Sequence, residues 1–258
     1  MAEPRTISSR DNTLLVRVRK LAGDPAAYRK LGEVWLEGDH LCAAFAQRGG
    51  TALQAIVSGT GWQQPELRAL AGHAAAVAVV APDLMAGLST LESPAPIGFV
   101  VAAPAAQAVL PDAPSVVLDR LQDAGNVGAI LRSAAAFGVT QVLALKGTAA
   151  LWSPKVLRAG MGAHFGLHLV EGLAAEALEA LTVPLVATSS HAAQAIHAVR
   201  LPWPCAWVLG HEGQGVAAAL QARCAQVLSI PQPGGEESLN VAAAAAVCFY
   251  ESARQRCG

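Results

Sequence analysis

The sequence predicts an α/β protein in two parts: a C-terminal, mainly parallel sheet with helices on both faces, preceded by a smaller α/β domain. Three observations predict it. From residue 115 onward, short runs that are apolar almost throughout alternate with helical patterns, and such strands belong to sheets covered on both faces. Residues 31–103 carry the same rhythm in shorter pieces. Between the two, APAAQAVLPDAPS has three prolines and little periodicity, which marks a connection. The expected boundaries are therefore 1–103, a linker over 104–114, and 115–258.

Residues 1–30 hold a local excess of cations at Arg5, Arg10, Arg17, Arg19, Lys20, Arg29 and Lys30, which reads first as a solvated helix face. Helical patterns and β-like runs then alternate through LEGDHLCAAFAQRG, LQAIVSG, QPELRALAG, AAVAVVA and IGFVVAA. Beyond the linker the spacing predicts strand SVVLD, helix NVGAILRSAAAFG, strand QVLAL, helix SPKVLRAGM, strand LHLV and helix AAEALEAL. Strands PLVAT and CAWVLG, helix GVAAALQARC, strand VLSI and a terminal helix from about Ser238 complete the chain. The alanines of that last helix keep it slim, so that another backbone can come close.

With 258 residues, 53% of them hydrophobic, the chain can bury one large core or two modest ones. A net charge of −1 and a pI near 6.6 exclude a globally basic, polyanion-binding protein, so any cationic surface is local. Cys42, Cys205, Cys224, Cys248 and Cys257 are scattered without a CxxC pair, which points away from zinc and disulfides and towards a reducing cytoplasm. The N-terminal stretch is polar, and no apolar run is long enough to span a bilayer. The histidines form no ligand-spaced set; His164, His168 and His211 read as packing or loop residues.

Ligands of such sheets bind at the carboxyl ends of strands, and three loops there carry unusual residues. In LDRLQDAGNVGAILRSAAAFG, Asp119 ends a strand and Gly125-Asn126 opens a helix that carries Arg132. Asn126 suits a helix cap. Arg132 shares a helical face with Gly128 and Gly125, so a long cation stands beside a strip without side chains. In VLGHEGQG, glycines flank Glu212 and allow a ligand to touch the main chain. In IPQPGGEESLNVAAAAAV a strand ends at Ile230, and Ser238 and Asn240 meet the start of the alanine helix, whose free amides attract anions and acceptor oxygens. A nicotinamide-dependent enzyme of this architecture needs G-x-G-x-x-G after its first strand, and SVVLDRLQDAGNVG does not supply it.

NVGAILR, GHEGQG and IPQPGGEESLNVAAAAAV, in this order and spacing, resemble motifs 1, 2 and 3 of the SpoU (TrmH) family of RNA 2′-O-methyltransferases in the SPOUT superfamily. The resemblance spans residues 115 to 256. ISSRDNTLLVRVRKL followed by LGEVWLEGDHL is similar to the substrate-binding extension of ribosomal-RNA members, so residues 1–103 are expected to form an L30e-like RNA-binding domain. The family resemblance implies S-adenosyl-L-methionine held in a deep trefoil knot, no metal, a cytoplasmic homodimer, and methyl transfer to a ribose 2′-hydroxyl. 23S ribosomal RNA is the expected substrate. A transfer-RNA substrate and a noncatalytic RNA-binding member are the alternatives.

Carried over residue by residue, the catalytic positions fall on Arg132, Asn126, Glu212, Ser238 and Asn240. Arg132 meets the RNA phosphate and acts as general base or electrostatic stabiliser; guanidinium's very high pKa favours the second. Asn126 positions the ribose or Arg132, Glu212 sets the orientation of Arg132, and Ser238 and Asn240 order the reactive loop. The cofactor is expected on main-chain groups around Leu209, Gly210, Ile230 and Leu239, with Thr188 nearby. RNA-binding candidates are Arg10, Arg17, Arg19, Lys20 and Arg29, together with Lys155 and Arg158. Two positions depart from the family pattern: Ala242 replaces the second serine of SLNVS, and Gly160 stands where RAS is often seen.

Overall fold

The computed structural model describes residues 3–234 and 238–257; Gly235, Glu236 and Glu237, the GEE part of the third loop, lie outside the described residues. The chain divides into two compact units, Met1–Ala105 with Trp152–Phe165, and Ala106–Leu151 with Gly166–Gly258.

The first unit contains β1 (Arg5–Ile7), α1 (Thr13–Gly23), α2 (Ala27–Leu31), β2 (Glu33–Glu37), α3 (Asp39–Gln47), β3 (Gln54–Ser58), α4 (Gly59–Trp62), α5 (Pro65–Ala71), β4 (Val77–Val80), α6 (Pro82–Ala86) and β5 (Ile97–Ala102). Its five strands form a mixed sheet in the order β1-β4-β3-β5-β2, with β5 antiparallel to both β2 and β3. Asn12 starts α1 by accepting the Leu14 N–H at 3.0 Å, and Leu15, Val18, Leu21 and Ala22 form its buried stripe. β1 and β2 are additions to the sequence reading. β1 has too few residues to set a period, and β2, EVWLE, flanks its apolar centre with acids. Trp35 of β2 lies across Gly98 of β5, where a Cβ has no room.

The segment Trp152–Phe165 packs within this unit, although the sequence assigned it to the C-terminal part. Its helix, Pro154–Gly160, sets Arg158 Nη1 3.7 Å from the buried carboxylate of Glu37, which also accepts from the Ser89 hydroxyl. Phe165 meets Phe45 edge-on at 5.3 Å. Apolar rings and a buried acid give this short segment its place.

The second unit contains β6 (Ser115–Leu118), α7 (Ala124–Phe137), β7 (Gln141–Leu145), β8 (His168–Leu173), β9 (Leu185–Thr188), β10 (Ala206–Leu209), α9 (Ala218–Gln221), β11 (Gln226–Leu228) and α10 (Val241–Cys257); α8 is the Pro154–Gly160 helix above. Six parallel strands lie in the order β11-β9-β10-β6-β7-β8. The chain runs outward from β6 to β8, then returns to the other side of β6, so the strand order reverses between β6 and β10. Every residue of β6, β7 and β10 is buried, as the unbroken apolar runs required.

Several boundaries differ from the sequence reading. AAEALEAL forms a 3₁₀ helix, Ala175–Ala180, and only Ala218–Gln221 of GVAAALQARC is α-helical. The last strand stops at Leu228, not Ile230, and the terminal helix starts at Val241, not Ser238. α7 opens earlier than expected: Asp123 accepts the Asn126 N–H at 2.7 Å and is its cap, so Asn126 lies inside the first turn. Its Val127, Ile130, Leu131 and Ala134 are buried, and Gly138 closes it in the left-handed conformation. α10 packs beside α7, and Trp207 at the sheet centre donates to the Ser252 hydroxyl of α10 at 3.0 Å.

Candidate active site at the strand-order reversal

β6 and β10 deliver two loops side by side, the position at which doubly wound sheets bind ligands. Asp119, just beyond β6 and 3% exposed, accepts the Ala217 N–H at 2.8 Å and so ties the first loop to the end of the second. Its neighbour Arg120 folds back on the same carboxylate at 2.9 Å and reaches Gln214 at 3.2 Å. That fold places Arg120 at φ 59, a left-handed conformation that a non-glycine residue holds only when its contacts fix it. After β10 the second loop doubles back at once: the Gly215 N–H donates to the His211 carbonyl at 2.8 Å. Gly210 lies under that turn, and a Cβ there would strike the backbone of Gly215 and Val216.

The turn presents Glu212 to the start of α7. Glu212 Oε1 accepts from Asn126 Nδ2 and from the Asp123 N–H, both at 3.3 Å. Asn126 Oδ1 in turn accepts from Asn240 Nδ2 at 3.0 Å. Asn240 also caps α10, accepting the N–H groups of Ala242 and Ala243 at 2.9 and 3.3 Å. Residues from all three sequence loops therefore meet through the Asn126 amide. Partial burial pushes the Glu212 carboxyl up, but its own N–H, the Asn126 side chain and the N–H groups of Asp123 and Gln122 outweigh this and hold it below the ordinary range.

A pocket at the carboxyl ends of β9 and β11 is lined by Thr188, Ser189, Ile230, Gln232, Ser238 and Leu239 among others. The named lining is uncharged, and among the described residues Gln232 Oε1 is buried without a hydrogen-bond partner. Leu209 and Gly210 end and follow the neighbouring strand β10: the Leu209 side chain is buried, its carbonyl accepts the Asp119 N–H at 2.8 Å, and Gly210 lies under the turn. Arg132 is exposed on α7, and among the described residues it makes no hydrogen bond or ion pair. The expected Glu212–Arg132 pairing is thus replaced by Glu212–Asn126, since the acid faces the first turn of α7 and Arg132 stands further along it.

The RNA-contact candidates all fall in the first unit. Arg17 is paired with Glu33 at 2.9 Å, Arg19 donates to the Arg10 carbonyl at 2.7 Å, and Arg29 bonds the Tyr28 hydroxyl at 3.1 Å. Arg158 is near Glu37, whereas Lys20 and Lys155 are exposed. Among the described residues, no group of three potential metal ligands clusters and no helix is long and apolar enough to cross a membrane.

The family model described as SpoU rRNA Methylase matches residues 113–250. The chain belongs to the SpoU rRNA methylase family. Two SpoU relatives illustrate the likeness. A 23S rRNA (guanosine-2′-O-)-methyltransferase, RlmB, of Bordetella pertussis is 40% identical over 147 residues, 55% of this chain and 60% of its own length. The enzyme of the same description from Pseudomonas putida is 34% identical over 145 residues, 58% of its own length. This chain therefore aligns with less than two thirds of these curated relatives.

Among solved SpoU-like structures, one described as an RNA 2′-O ribose methyltransferase superposes with a TM-score of 0.83 at 30% identity, covering 98% of this chain and 100% of the other. The SpoU methyltransferase AviRb from Streptomyces viridochromogenes, solved with its cofactor AdoMet, gives 0.85 at 27% identity over 96% and 99%. Within the SpoU site, Asp119, Arg120 and Asp123 hold the loops and were not singled out for this from sequence. The one available signal was a carboxylate closing the apolar run SVVLD, because a buried acid at a strand end needs partners.

Proposed function

We propose that this chain transfers a methyl group from S-adenosylmethionine to a ribose 2′-hydroxyl of 23S ribosomal RNA. The observation that carries this reading is the Glu212–Asn126–Asn240 chain of contacts, which joins the three SpoU motifs in one place. The relatives named for 23S rRNA guanosine 2′-O-methylation support the choice of substrate.

Thr188, Ile230 and Leu239, with main-chain groups around Leu209 and Gly210, are the residues to hold the donor; the uncharged lining, to which Ser238 also contributes, and the Gln232 oxygen suit a flat adenine and a cationic sulfonium. When bound, S-adenosylmethionine supplies an already activated electrophilic methyl group, so no metal is required. The remaining tasks are alignment of the ribose hydroxyl and management of its proton and charge. Ionised Glu212 fixes the Asn126 amide, leaving that amide's rotamer settled before substrate arrives. Arg132, exposed and unpaired among the described residues, can meet an RNA phosphate and stabilise negative charge developing on the 2′-oxygen; as a guanidinium it does this without losing a proton.

The knotted threading that the resemblance implies belongs to this reading, supported by the reversal of strand order and the return of α10 to α7. So does a homodimer, supported by the exposed Val247 and Tyr250 of α10, at 39% and 55%, with Tyr250 edge-on to Phe137 of α7. Residues 1–103 and the Lys155–Arg158 helix are the RNA-docking elements. Incubation of the full chain with methyl-labelled donor and either 23S rRNA or total transfer RNA tests the reading. Label at a ribose 2′-oxygen of 23S rRNA is expected; label in transfer RNA alone, or none with donor bound, overturns it.

A further inference from the structure

The second unit has another groove, at the opposite end of its sheet from the donor pocket. It measures about 640 Å3, and its lining includes Arg200, Trp203, Gln226, Ser252, Gln255 and Arg256. Gln226 opens β11, and Trp203 shortly precedes β10, so this groove lies at the amino ends of strands whose carboxyl ends face the donor pocket. β11 is the edge strand of the sheet, and from Gln226 to Ile230 the extended chain spans about 13 Å at ~3.3 Å per residue.

Arg256 is held flat. Its guanidinium lies 3.7 Å from the centre of the Trp203 ring, while Nε donates to the Ser252 carbonyl at 3.2 Å and Nη2 to the Phe137 carbonyl at 2.9 Å. Both acceptors are neutral, so its positive charge is not cancelled. Arg200 is exposed and, among the described residues, has no hydrogen bond or ion pair. Gln255 is spent on structure, donating to the Val199 carbonyl and accepting the Leu201 N–H, and thereby fixes the segment that carries Arg200. Among the described residues, Gln226 Oε1 is buried without a donor. Glu251, one turn back on α10, is already bound by Arg254 at 2.7 Å and by Gln255 at 2.8 Å, so it leaves the groove cationic.

Two uncancelled guanidinium groups call for a phosphate, a fixed cation–indole stack offers a flat surface to a base, and a partnerless amide oxygen offers an acceptor to a base N–H. We propose that this groove binds a nucleotide of the RNA strand away from the methylated residue, phosphate against Arg200 and Arg256 and base against the Trp203–Arg256 stack. The inference rests on the reading of the chain as an enzyme of RNA, and adds a second anchoring point in the catalytic unit.

The test uses the full chain and a fluorescent single-stranded RNA decamer, with binding followed by anisotropy across a salt series. Arg200→Ala, exposed and without partners, carries little risk to folding; it is expected to weaken binding about 3- to 10-fold and to flatten the slope of log K against log salt by ~0.7, one phosphate contact. Arg200→Glu weakens it further. Trp203→Leu, checked for an unchanged circular dichroism spectrum, weakens binding about 10-fold with the slope retained, because stacking carries no counterion release. Donor affinity by calorimetry stays constant in all three. Arg200→Ala binding within twofold of wild type at every salt, with the slope unchanged, overturns the proposal. So does guanosine 5′-monophosphate binding as tightly as the decamer with the same Arg200 dependence, which identifies a free-nucleotide site. If the wild type methylates rRNA and the Arg200 variants bind RNA normally, the groove fails alone; if Arg200-dependent binding holds and no RNA is methylated, the activity reading fails alone.

Discussion

In the proposed site, two side chains have contrasting surroundings. Asn126 is engaged on both faces of its amide, by Glu212 and by Asn240, whereas Arg132 is held by nothing among the described residues. A preorganised amide beside an exposed cation suits a site in which substrate, not protein, supplies the final partner of the arginine. Arg132→Ala is accordingly expected to lower kcat by about 10²- to 10³-fold while donor affinity, measured by calorimetry, stays unchanged. Near-normal turnover in that variant excludes both roles of the arginine. Glu212 and Asn126 form a direct pair, so a double-mutant cycle of Glu212→Gln and Asn126→Ala on kcat/KM should give a coupling of about 1 kcal/mol, against near zero for Glu212→Gln with Arg132→Ala.

At the level of single elements, the second loop and the last helix each depend on one local constraint. Gly210 has backbone, not a flexible side chain, where a Cβ would go, so Gly210→Ala should cost about 1–3 kcal/mol in urea unfolding. In α10, the Arg254 guanidinium holds the Glu251 carboxyl down at about 2 from its usual 4.5. A depressed acid stabilises the fold above the unfolded pKa and loses that contribution as pH falls through the folded one. The Tm of the wild type should therefore fall more steeply between pH 4.5 and 2 than that of Glu251→Gln. Sequence foresaw these elements unevenly. α7 and the central strands were legible because their apolar spacing is long or unbroken. The cap of α7 was misassigned, since Asp123 and Asn126 are both good caps and only tertiary contacts decide between them. The 3₁₀ form of AAEALEAL was illegible because alanine-rich patterns serve either helix.

Across the whole chain, the motifs announced the site because each is a loop leaving the same end of one parallel sheet, and parallel strands bring such loops together however far apart they lie in sequence. The assignment of Trp152–Phe165 to the first unit was hidden for the converse reason: its anchors, Glu37 and Phe45, lie more than a hundred residues earlier and share no pattern with it. The proposed homodimer belongs to this scale. Tyr250→Asp is expected to convert the dimer to monomer in analytical ultracentrifugation and to reduce methyl transfer about tenfold or more, since a buried, unpaired carboxylate opposes association. A variant that sediments like the wild type removes α10 from the interface.

The Asp119 carboxylate grips both its own loop and the backbone beyond Gly215. Such a rivet makes the two glycine-rich corners mechanically one part: whatever displaces the turn bearing Glu212 also drags on the strand end leading to Asn126. One buried carboxylate thus makes the geometry of one corner depend on that of the other.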